Sequence, residues 1–388
     1  MFIVVLGTVL ALMHLYLWKR LIKDTTEPGR TRWILTAVLV ALAALLSATL
    51  VLPRVIGLDS AWYAWPGYFW FGLAAYLFLT LLVTEPVRLL LRGWVKRDAP
   101  KVQNGHEPAI NRRVFLARAS AVTAGAVSVG LVGVGGARAL GPPDLLQLPM
   151  HLRRLDPAFN GFRIAVVSDI HLGPLAGRAH TERIVEMING AEPDLVAIVG
   201  DLVDGTVEEL GPAAAPLRDL TSREGTFFVT GNHEYYVADP ESWLRELERL
   251  DVQLLRNEST VIRRAGAAFD LAGVNDIAGG QSSDPPDLDR ALGRLDASGP
   301  TILLAHQPVM VTEAAARGVD LQLSGHTHGG QMWPFHYLVR AEQPSLAGLS
   351  TVGDTQLYVT RGAGFWGPPV RVGAPPDITV LTLAADAM

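Results

Sequence analysis

Long apolar runs separated by short polar segments occupy the N-terminal third of the chain. Three of these runs, at residues 1–18, 33–52 and 66–84, are each close to the roughly 20 residues that a helix needs to cross a bilayer. A fourth run, at 119–137, is rich in Gly, Ala and Val. Buried helices of a soluble fold are the alternative, but soluble domains rarely contain such runs in close succession. The pattern therefore predicts a transmembrane region over residues 1–138, with about four helices.

The fourth run follows a segment that reads Asn-Arg-Arg-Val-Phe-Leu, from Asn111 to Leu116. Paired arginines before a mildly apolar stretch are typical of a twin-arginine export signal. A basic flank of an ordinary membrane helix would look the same. In both cases the fourth run crosses the membrane, either retained as an anchor or cleaved near Ala137.

Basic residues are unevenly distributed among the polar segments that connect the apolar runs. The segment Lys19–Arg32 carries five of them, Pro53–Trp65 carries one, and Glu85–Arg118 carries eight. Because basic loops stay in the cytoplasm, the chain should begin outside and, after four spans, continue outside. We therefore expect a multi-pass protein of the cell membrane with an extracytoplasmic C-terminal domain.

Short apolar runs replace the long ones after a predicted linker at residues 139–159, which contains Pro142 and Pro143. Helical patterns at Thr181–Asn189 and Pro240–Leu250 lie between some of them. Alternating strands and helices indicate an α/β domain, which we place at residues 160–388. The predicted strands are Phe162–Val167, Leu195–Val199, Thr226–Val229, Thr301–Leu304 and Leu321–Leu323.

Composition and charge narrow the function of this second region. The chain has a net charge of −5, but the balance is +8 up to residue 149 and −13 beyond it, where there is no Lys. An acidic domain without Lys is a poor nucleic-acid binder, because neutralising phosphates requires clustered cations. The chain has no Cys, which excludes disulfides and thiolate zinc sites.

Asp, Asn or His follows each of the five predicted strands. The segments read Ser-Asp-Ile-His, Gly-Asp-Leu-Val-Asp, Gly-Asn-His-Glu, Ala-His-Gln-Pro and Ser-Gly-His-Thr-His-Gly. In open α/β sheets, ligands bind outside the carboxyl ends of the strands. We therefore expect these side chains to meet at one edge.

The residue types at these strand ends suit metal binding. Asp169 and His171 are two residues apart, so in extended backbone they point to the same side, as do His326 and His328. Oxygen and nitrogen ligands without sulfur favour Mn, Fe, Zn or Co. Each motif alone has an ordinary explanation as a turn or a structural His, whereas five in succession at strand ends do not.

In this order, the motifs resemble the calcineurin-like metallophosphoesterase superfamily. The resemblance covers roughly residues 160–385, including the tail Tyr358–Gly364. It implies a sandwich of two β-sheets flanked by helices. The tail, the Gly-His-Thr-His-Gly-Gly-Gln block and the membrane leader resemble a bacterial branch of membrane-associated phosphodiesterases.

Family roles can be carried over motif by motif. The resemblance implies that two divalent metal ions are bound and bridged by Asp201. Glu234, Asp204 and Gln331 would lie next to the ligands, and His233 would face the phosphate and assist the leaving group. The implied ligands are Asp169, His171, Asp201 and His328 for the first ion, and Asp201, Asn232, His306 and His326 for the second.

The function implied is hydrolysis of a phosphate ester by metal-activated hydroxide, by a membrane-anchored phosphodiesterase or pyrophosphatase. A site close to a bilayer suggests a lipid-linked or cell-envelope substrate. The alternative is a membrane transporter or sensor whose outer domain is a metal-dependent binding module. Against this alternative, the predicted spans of the chain contain almost no charged residues, and transport pathways usually need them. A catalytically dead homologue is a third possibility, against which the complete ligand set argues.

Overall fold

The computed structural model describes residues 2–56, 60–91, 93, 112–237, 239–293, 295 and 299–385. Met1, Asn111 and most of the third basic segment therefore lie outside the described residues. The chain forms two compact units. The first, here called the helical unit, contains Met1–Gly136 and Gly367–Val370. The second, here called the catalytic unit, contains Ala137–Trp366 and Arg371–Met388.

Four long helices form most of the helical unit: α1 (Phe2–Leu17), α2 (Arg30–Ile56), α3 (Ala61–Leu90) and α4 (Arg112–Leu140). A π-helical segment, Trp18–Lys23, continues α1. Among the described residues, these four helices are long and apolar enough to cross a membrane. They include all four of the predicted apolar runs. Many large apolar side chains on them are exposed, as expected for helices that face lipid.

Charged side chains of the helical unit gather at one end of the helices. Arg20 donates to Asp24 (2.9 Å) and to Glu85 (2.7 Å), and Arg88 lies 3.3 Å from Asp24. Arg118 donates to the carbonyl of Thr25 over 3.1 Å. The end of α1, the end of α3 and the start of α4 therefore share one side, as expected if successive helices cross in opposite directions.

Two six-stranded sheets form the catalytic unit. In the first sheet the order is β1-β12-β2-β3-β4-β5. Strands β2 to β5 run parallel, whereas β12 is antiparallel to β2 and parallel to β1. The bounds are β1 Asp144–Leu152, β2 Arg163–Val167, β3 Leu195–Val199, β4 Thr226–Val229, β5 Val252–Leu254 and β12 Asp377–Ala385.

The second sheet has the order β10-β11-β9-β8-β7-β6. Its four central strands run parallel, and the two outer strands, β10 and β6, pair antiparallel. The bounds are β6 Glu258–Arg264, β7 Ala267–Gly273, β8 Thr301–Leu304, β9 Leu321–Ser324, β10 Gly348–Val352 and β11 Thr355–Val359.

Alternating side chains of the strands fill two kinds of core. Ile164 and Val166 of β2 face a core shared with the second sheet, whereas Ala165 and Val167 face helices on the outside. This period of two is the pleat of a strand buried on both faces. The outer helices are α5 Arg178–Gly190, α6 Val207–Ala214, α7 Pro240–Arg249, α8 Leu288–Leu292, α9 Val311–Ala316 and α10 His336–Glu342.

The two-sheet fold flanked by helices is thus confirmed, and the five predicted strands are present. Seven of the twelve strands among the described residues were not predicted, and one of them, β1, lies within the segment 139–159 that was predicted to be a linker. It pairs along its whole length with β12, so strands more than 200 positions apart in the chain lie side by side at one edge of the first sheet. A strand that depends on such a distant partner has no local signal beyond its own apolar residues.

A candidate dinuclear metal site

The seven predicted ligands converge at the carboxyl edge of the parallel strands. Asp169 and His171 follow β2, Asp201 follows β3, and Asn232 follows β4. His306 follows β8 and His326 and His328 follow β9, so both sheets contribute. All seven side chains are buried except that of His326, which is half-buried.

One cluster of possible ligand atoms combines Asp169, His171 and His328. The Nε2 atoms of His171 and His328 lie 3.0 Å apart. Oδ1 of Asp169 is 3.4 Å from His328 Nε2 and 4.0 Å from His171 Nε2. Two imidazole nitrogens and one carboxylate oxygen directed at a common point can hold a divalent ion.

A second cluster combines Asp201, His306 and His326. Oδ2 of Asp201 lies 3.2 Å from His306 Nε2 and also 3.8 Å from His171 Nε2, in the first cluster. The rings of His306 and His326 are 5.1 Å apart. A single carboxylate thus lies next to both groups of histidines, which is the position a bridging ligand requires.

Two buried polar atoms at the site fit metal ligation. Among the described residues, neither Nε2 of His306 nor Oδ1 of Asn232 has a hydrogen-bonding partner of good geometry. The other ring nitrogen of His306, Nδ1, donates to the carbonyl of Val199 over 2.7 Å, so Nε2 is the ring nitrogen that faces Asp201 and could bind an ion. Burying an unpaired polar atom is costly unless a ligand satisfies it. The donor set therefore suits an ion bound beside Asp201.

The backbone of the site is in an unusual conformation. Five of the seven predicted ligands have positive φ, namely Asp169 (52°), His171 (49°), Asp201 (53°), His326 (71°) and His328 (50°). Residues other than Gly rarely adopt this conformation, and it clusters at functional sites. Gly231 and Gly325 let the loops approach closely, because a Cβ at either position would collide with Asp201 or Asp169.

Asp204 holds two histidines of the site. Its Oδ1 is 3.1 Å from Nδ1 of His171 and 2.5 Å from Nδ1 of His233. Burial raises the pKa of Asp204, but the charges of these two histidines outweigh burial and hold its pKa well below the ordinary value. A carboxylate that accepts from Nδ1 fixes the imidazole so that Nε2 points into the site.

His233 lies at the mouth of the site. Burial lowers its pKa, but the carboxylates of Asp204 and Asp201 outweigh this effect and raise the pKa to about 9. Its backbone N–H donates to Oδ1 of Asp201 over 2.8 Å. The ring is therefore protonated at neutral pH, with Nδ1 toward Asp204 and Nε2 available to a bound molecule.

Glu234 binds the backbone of two loops of the site, those after β3 and β4. Its carboxylate accepts from the backbone N–H groups of Asp201 (2.9 Å), Leu202 (2.8 Å) and Gly231 (2.6 Å). Burial and the charge of Asp201 raise its pKa to about 7, against the effect of these donors. Glu234 thus ties the loop after β3 to the loop after β4.

Arg371 is a site residue that the sequence analysis missed. Its buried guanidinium donates to the carbonyls of His328 (2.7 Å), Arg361 (2.9 Å) and Gly364 (3.1 Å from Nε). Burial lowers its pKa to about 10, so it stays charged at neutral pH. It fixes the loop of His328 to the loop after β11. It also lies 3.1 Å from Nδ1 of His328, a side chain 43 positions away in the chain. No motif marks it, because most of its partners are backbone carbonyls and this side-chain partner is distant in sequence.

Comparisons with known proteins agree with this geometry. Residues 162–330 match the family model described as calcineurin-like phosphoesterase. A zebrafish (Danio rerio) protein named transmembrane protein with metallophosphoesterase domain is 33% identical over 398 residues, covering 98% of this chain and 89% of its own. The chain belongs to the calcineurin-like phosphoesterase family.

Two further relatives of this phosphoesterase define how far the similarity extends. A bovine (Bos taurus) protein of the same name is 41% identical over 286 residues, which cover 71% of this chain and 64% of that protein. An uncharacterized metallophosphoesterase of Campylobacter jejuni is 34% identical over 384 residues, or 98% of this chain and 97% of its own. The similarity to the zebrafish and Campylobacter proteins thus includes the region of the apolar helices.

Membership of this family makes the chain a metal-dependent phosphoester hydrolase. The clusters around Asp169 and Asp201 could hold the divalent metal that the family uses. The family resemblance found in the sequence is thereby confirmed. The narrower bacterial branch and the twin-arginine leader stay predictions.

Proposed function

We propose that this protein is a membrane-anchored dinuclear phosphoesterase, acting as a phosphodiesterase or pyrophosphatase. The position of Asp201 carries the proposal, because one buried carboxylate lies next to both groups of histidines. Asp169, His171, Asp201 and His328 would hold one ion. Asp201, Asn232, His306 and His326 would hold the other, with Mn, Fe, Zn or Co as suitable metals.

When bound by these residues, two divalent cations would supply an activated water and would neutralise charge on the phosphoryl oxygens. The protein's own residues would orient the histidines and protonate the leaving group. Asp204 holds His171 and His233 in a fixed orientation. His233 would donate a proton from Nε2 to the departing oxygen, a role that its raised pKa favours.

Metal removal tests the proposal directly. The purified full chain should lose hydrolysis of bis(p-nitrophenyl) phosphate when dialysed against a chelator and regain it with Mn²⁺ or a similar ion. The reason is that Oδ1 of Asn232 and Nε2 of His306 have no hydrogen-bonding partner among the described residues, so an ion would satisfy both atoms. Metal content measured by mass spectrometry should approach two ions per chain. Full activity at no measurable metal content would refute the proposal.

Replacing Asp204 should change the pH dependence of the reaction. The raised pKa of His233 keeps it protonated at neutral pH, and activity is lost as pH rises through that pKa. In Asp204→Asn the carboxylate is gone, so the pKa falls and the alkaline limb of kcat should move down by about one pH unit or more. The exposed Asp219→Asn is the matched control. An unchanged alkaline limb would contradict the role of His233 as a proton donor.

We also propose that the catalytic unit lies outside the cytoplasm. The charged end of the helical unit, with Arg20, Arg88 and Arg118, belongs to the two basic segments that should remain inside. Four spans then place the C-terminal region outside. The twin-arginine motif predicts the same side.

A reporter fused after Met388 tests this topology. A reporter enzyme that works only outside the cytoplasm should be active, and one that works only inside should be silent. The opposite result at equal expression would overturn the orientation and leave the metal chemistry unaffected. If Arg112→Lys combined with Arg113→Lys abolishes the external signal, the export reading is supported over a simple basic flank.

A further inference from the structure

Exposed apolar side chains of the catalytic unit are confined to one edge. Among its described residues, every exposed large apolar side chain lies on a connection or strand start at the carboxyl edge, where the metal site is. These residues are Leu140, Leu145, Tyr236, Ile277, Val309, Trp333, Phe335, Tyr337, Leu338, Leu349 and Trp366. Water-soluble domains scatter such residues singly, whereas a one-sided group marks an interaction surface.

The densest part of this group follows the loop of His328. We call Trp333, Phe335, Tyr337 and Leu338 the aromatic surface; all four are exposed, Tyr337 by 63%. The last two belong to α10, a seven-residue helix without any buried residue. Such a helix gains little from the protein core, although two of its exposed side chains, Tyr337 and Leu338, are large and apolar. Trp and Tyr are the residues enriched where proteins meet the headgroup region of a bilayer.

The aromatic surface is continuous with the mouth of the metal site. Gln331, two residues before Trp333, donates to the carbonyl of Trp366 over 2.8 Å and accepts from its N–H over 3.0 Å. The rings of Trp366 and Tyr236 lie 6.2 and 5.1 Å from that of His233. Both are more than half exposed, so the proposed proton donor is flanked by apolar rings. A leaving group at this position would meet hydrocarbon-like surface.

The membrane anchor enters the catalytic unit at the same edge. The last candidate span ends at Leu140, and β1 begins only four positions later, at Asp144. Asp144 pairs with Asp377, whose N–H donates to the carbonyl of Gly362 over 3.0 Å. Gly362 in turn packs on Asp169, one of the predicted ligands. A tether this short keeps the site edge within a few residues' reach of the bilayer.

We propose that the aromatic surface inserts into the headgroup region of the bilayer that holds the chain's own spans. The site would then take phosphate esters whose apolar part stays in that bilayer, that is, lipid or lipid-linked phosphates. This inference rests on the proposed phosphoesterase function for its substrate class. The insertion itself rests only on the exposed residues and the tether.

Labels on single cysteines test the insertion, since the chain has no Cys of its own. The full chain would be reconstituted in phosphatidylcholine–phosphatidylglycerol vesicles, with an environment-sensitive fluorophore on Tyr337→Cys. Asp354→Cys is the matched control, because Asp354 is 87% exposed in the turn between β10 and β11, at the opposite edge. Spin-labelled lipids should quench the first label and iodide the second.

Two outcomes would overturn the insertion. The first is quenching of both labels by iodide and of neither by spin-labelled lipid. The second is a label at position 337 shielded from both quenchers and self-quenched as protein density rises, which would indicate a second copy on this surface.

Substrate selectivity tests the second half of the inference. A variant with Trp333, Phe335, Tyr337 and Leu338 all replaced by Ser should lose at least about tenfold in kcat/KM on a long-chain phosphodiester embedded in vesicles. Hydrolysis of water-soluble bis(p-nitrophenyl) phosphate should be unchanged, which also shows that the variant folds. Equal loss on both substrates, or on neither, would overturn the substrate class. If the wild type with restored metal hydrolyses neither these diesters nor a lipid-linked pyrophosphate, the proposed function fails, while the labels still report on insertion.

Discussion

Asp201→Asn is expected to reduce kcat/KM by about a thousandfold or more, because a charge that stabilises both cations is lost. Its Oδ2 lies 3.8 Å from Nε2 of His171 and 3.2 Å from Nε2 of His306, so this one carboxylate lies next to both clusters. Asn keeps the shape and the acceptor for the N–H of His233, which limits the change to charge. Metal content should fall together with the rate.

The matched control for this variant is Asp289→Asn, an exposed carboxylate paired with Arg317. It should change neither rate nor metal content. An Asp201→Asn protein with two bound ions and the full rate would show that Asp201 does not bridge. The same variant distinguishes the enzyme hypothesis from that of a transporter or sensor with a binding module. Only if the protein is an enzyme should loss of hydrolysis abolish its function.

His233→Ala is expected to lower kcat by about 10²- to 10⁴-fold, the usual contribution of a positioned proton donor. Metal content should stay at the wild-type value. The reason is that Nδ1 of His233 is 2.5 Å from Asp204, and neither of the two proposed ligand sets needs the ring. The loss should be smaller for substrates with a good leaving group, such as p-nitrophenol, than for alkyl esters.

The position of His233 also allows a role in metal binding, and the variant tests this. His233 also forms a possible ligand group with His171 and Asp201, so distance alone would admit it as a ligand. An empty site in His233→Ala would assign it to the metal and remove it from proton transfer. His151→Ala is the control, because His151 is exposed near the end of β1, at the edge opposite the site.

Much of the candidate site could be predicted from the sequence, because each of its motifs is a short run of neighbouring residues. Each motif follows a short apolar strand, and parallel strands bring their carboxyl ends to one edge whatever their order. Thus Asp169 and Asp201 could be placed together before their distances were known. His306 follows a strand of the second sheet, and only the order of the motifs grouped it with them. The structure places all seven predicted ligands at that edge, while their binding of metal awaits experiment.

The long apolar helices could be predicted from the sequence equally well. Chain length, apolar composition and the lack of charge suffice to indicate a candidate span, and each run forms a helix in the structure. The strand β1, by contrast, could not be predicted from the sequence. Its pairing with β12 joins Asp144 to Asp377, and nothing near Asp144 indicates so distant a partner.

Tertiary structure alone decided which side chains support the site and which face outward. Arg371 binds backbone carbonyls of His328, Arg361 and Gly364, and backbone atoms leave no signature in a sequence. Trp333 and Trp366 are apolar residues that a sequence would assign to a core. Only the folded chain shows them exposed beside the site, because burial depends on which elements pack together. The sequence thus determined which metal chemistry to expect of this protein, since the candidate ligands follow from residue type and strand position. Its surroundings were decided by contacts between distant segments.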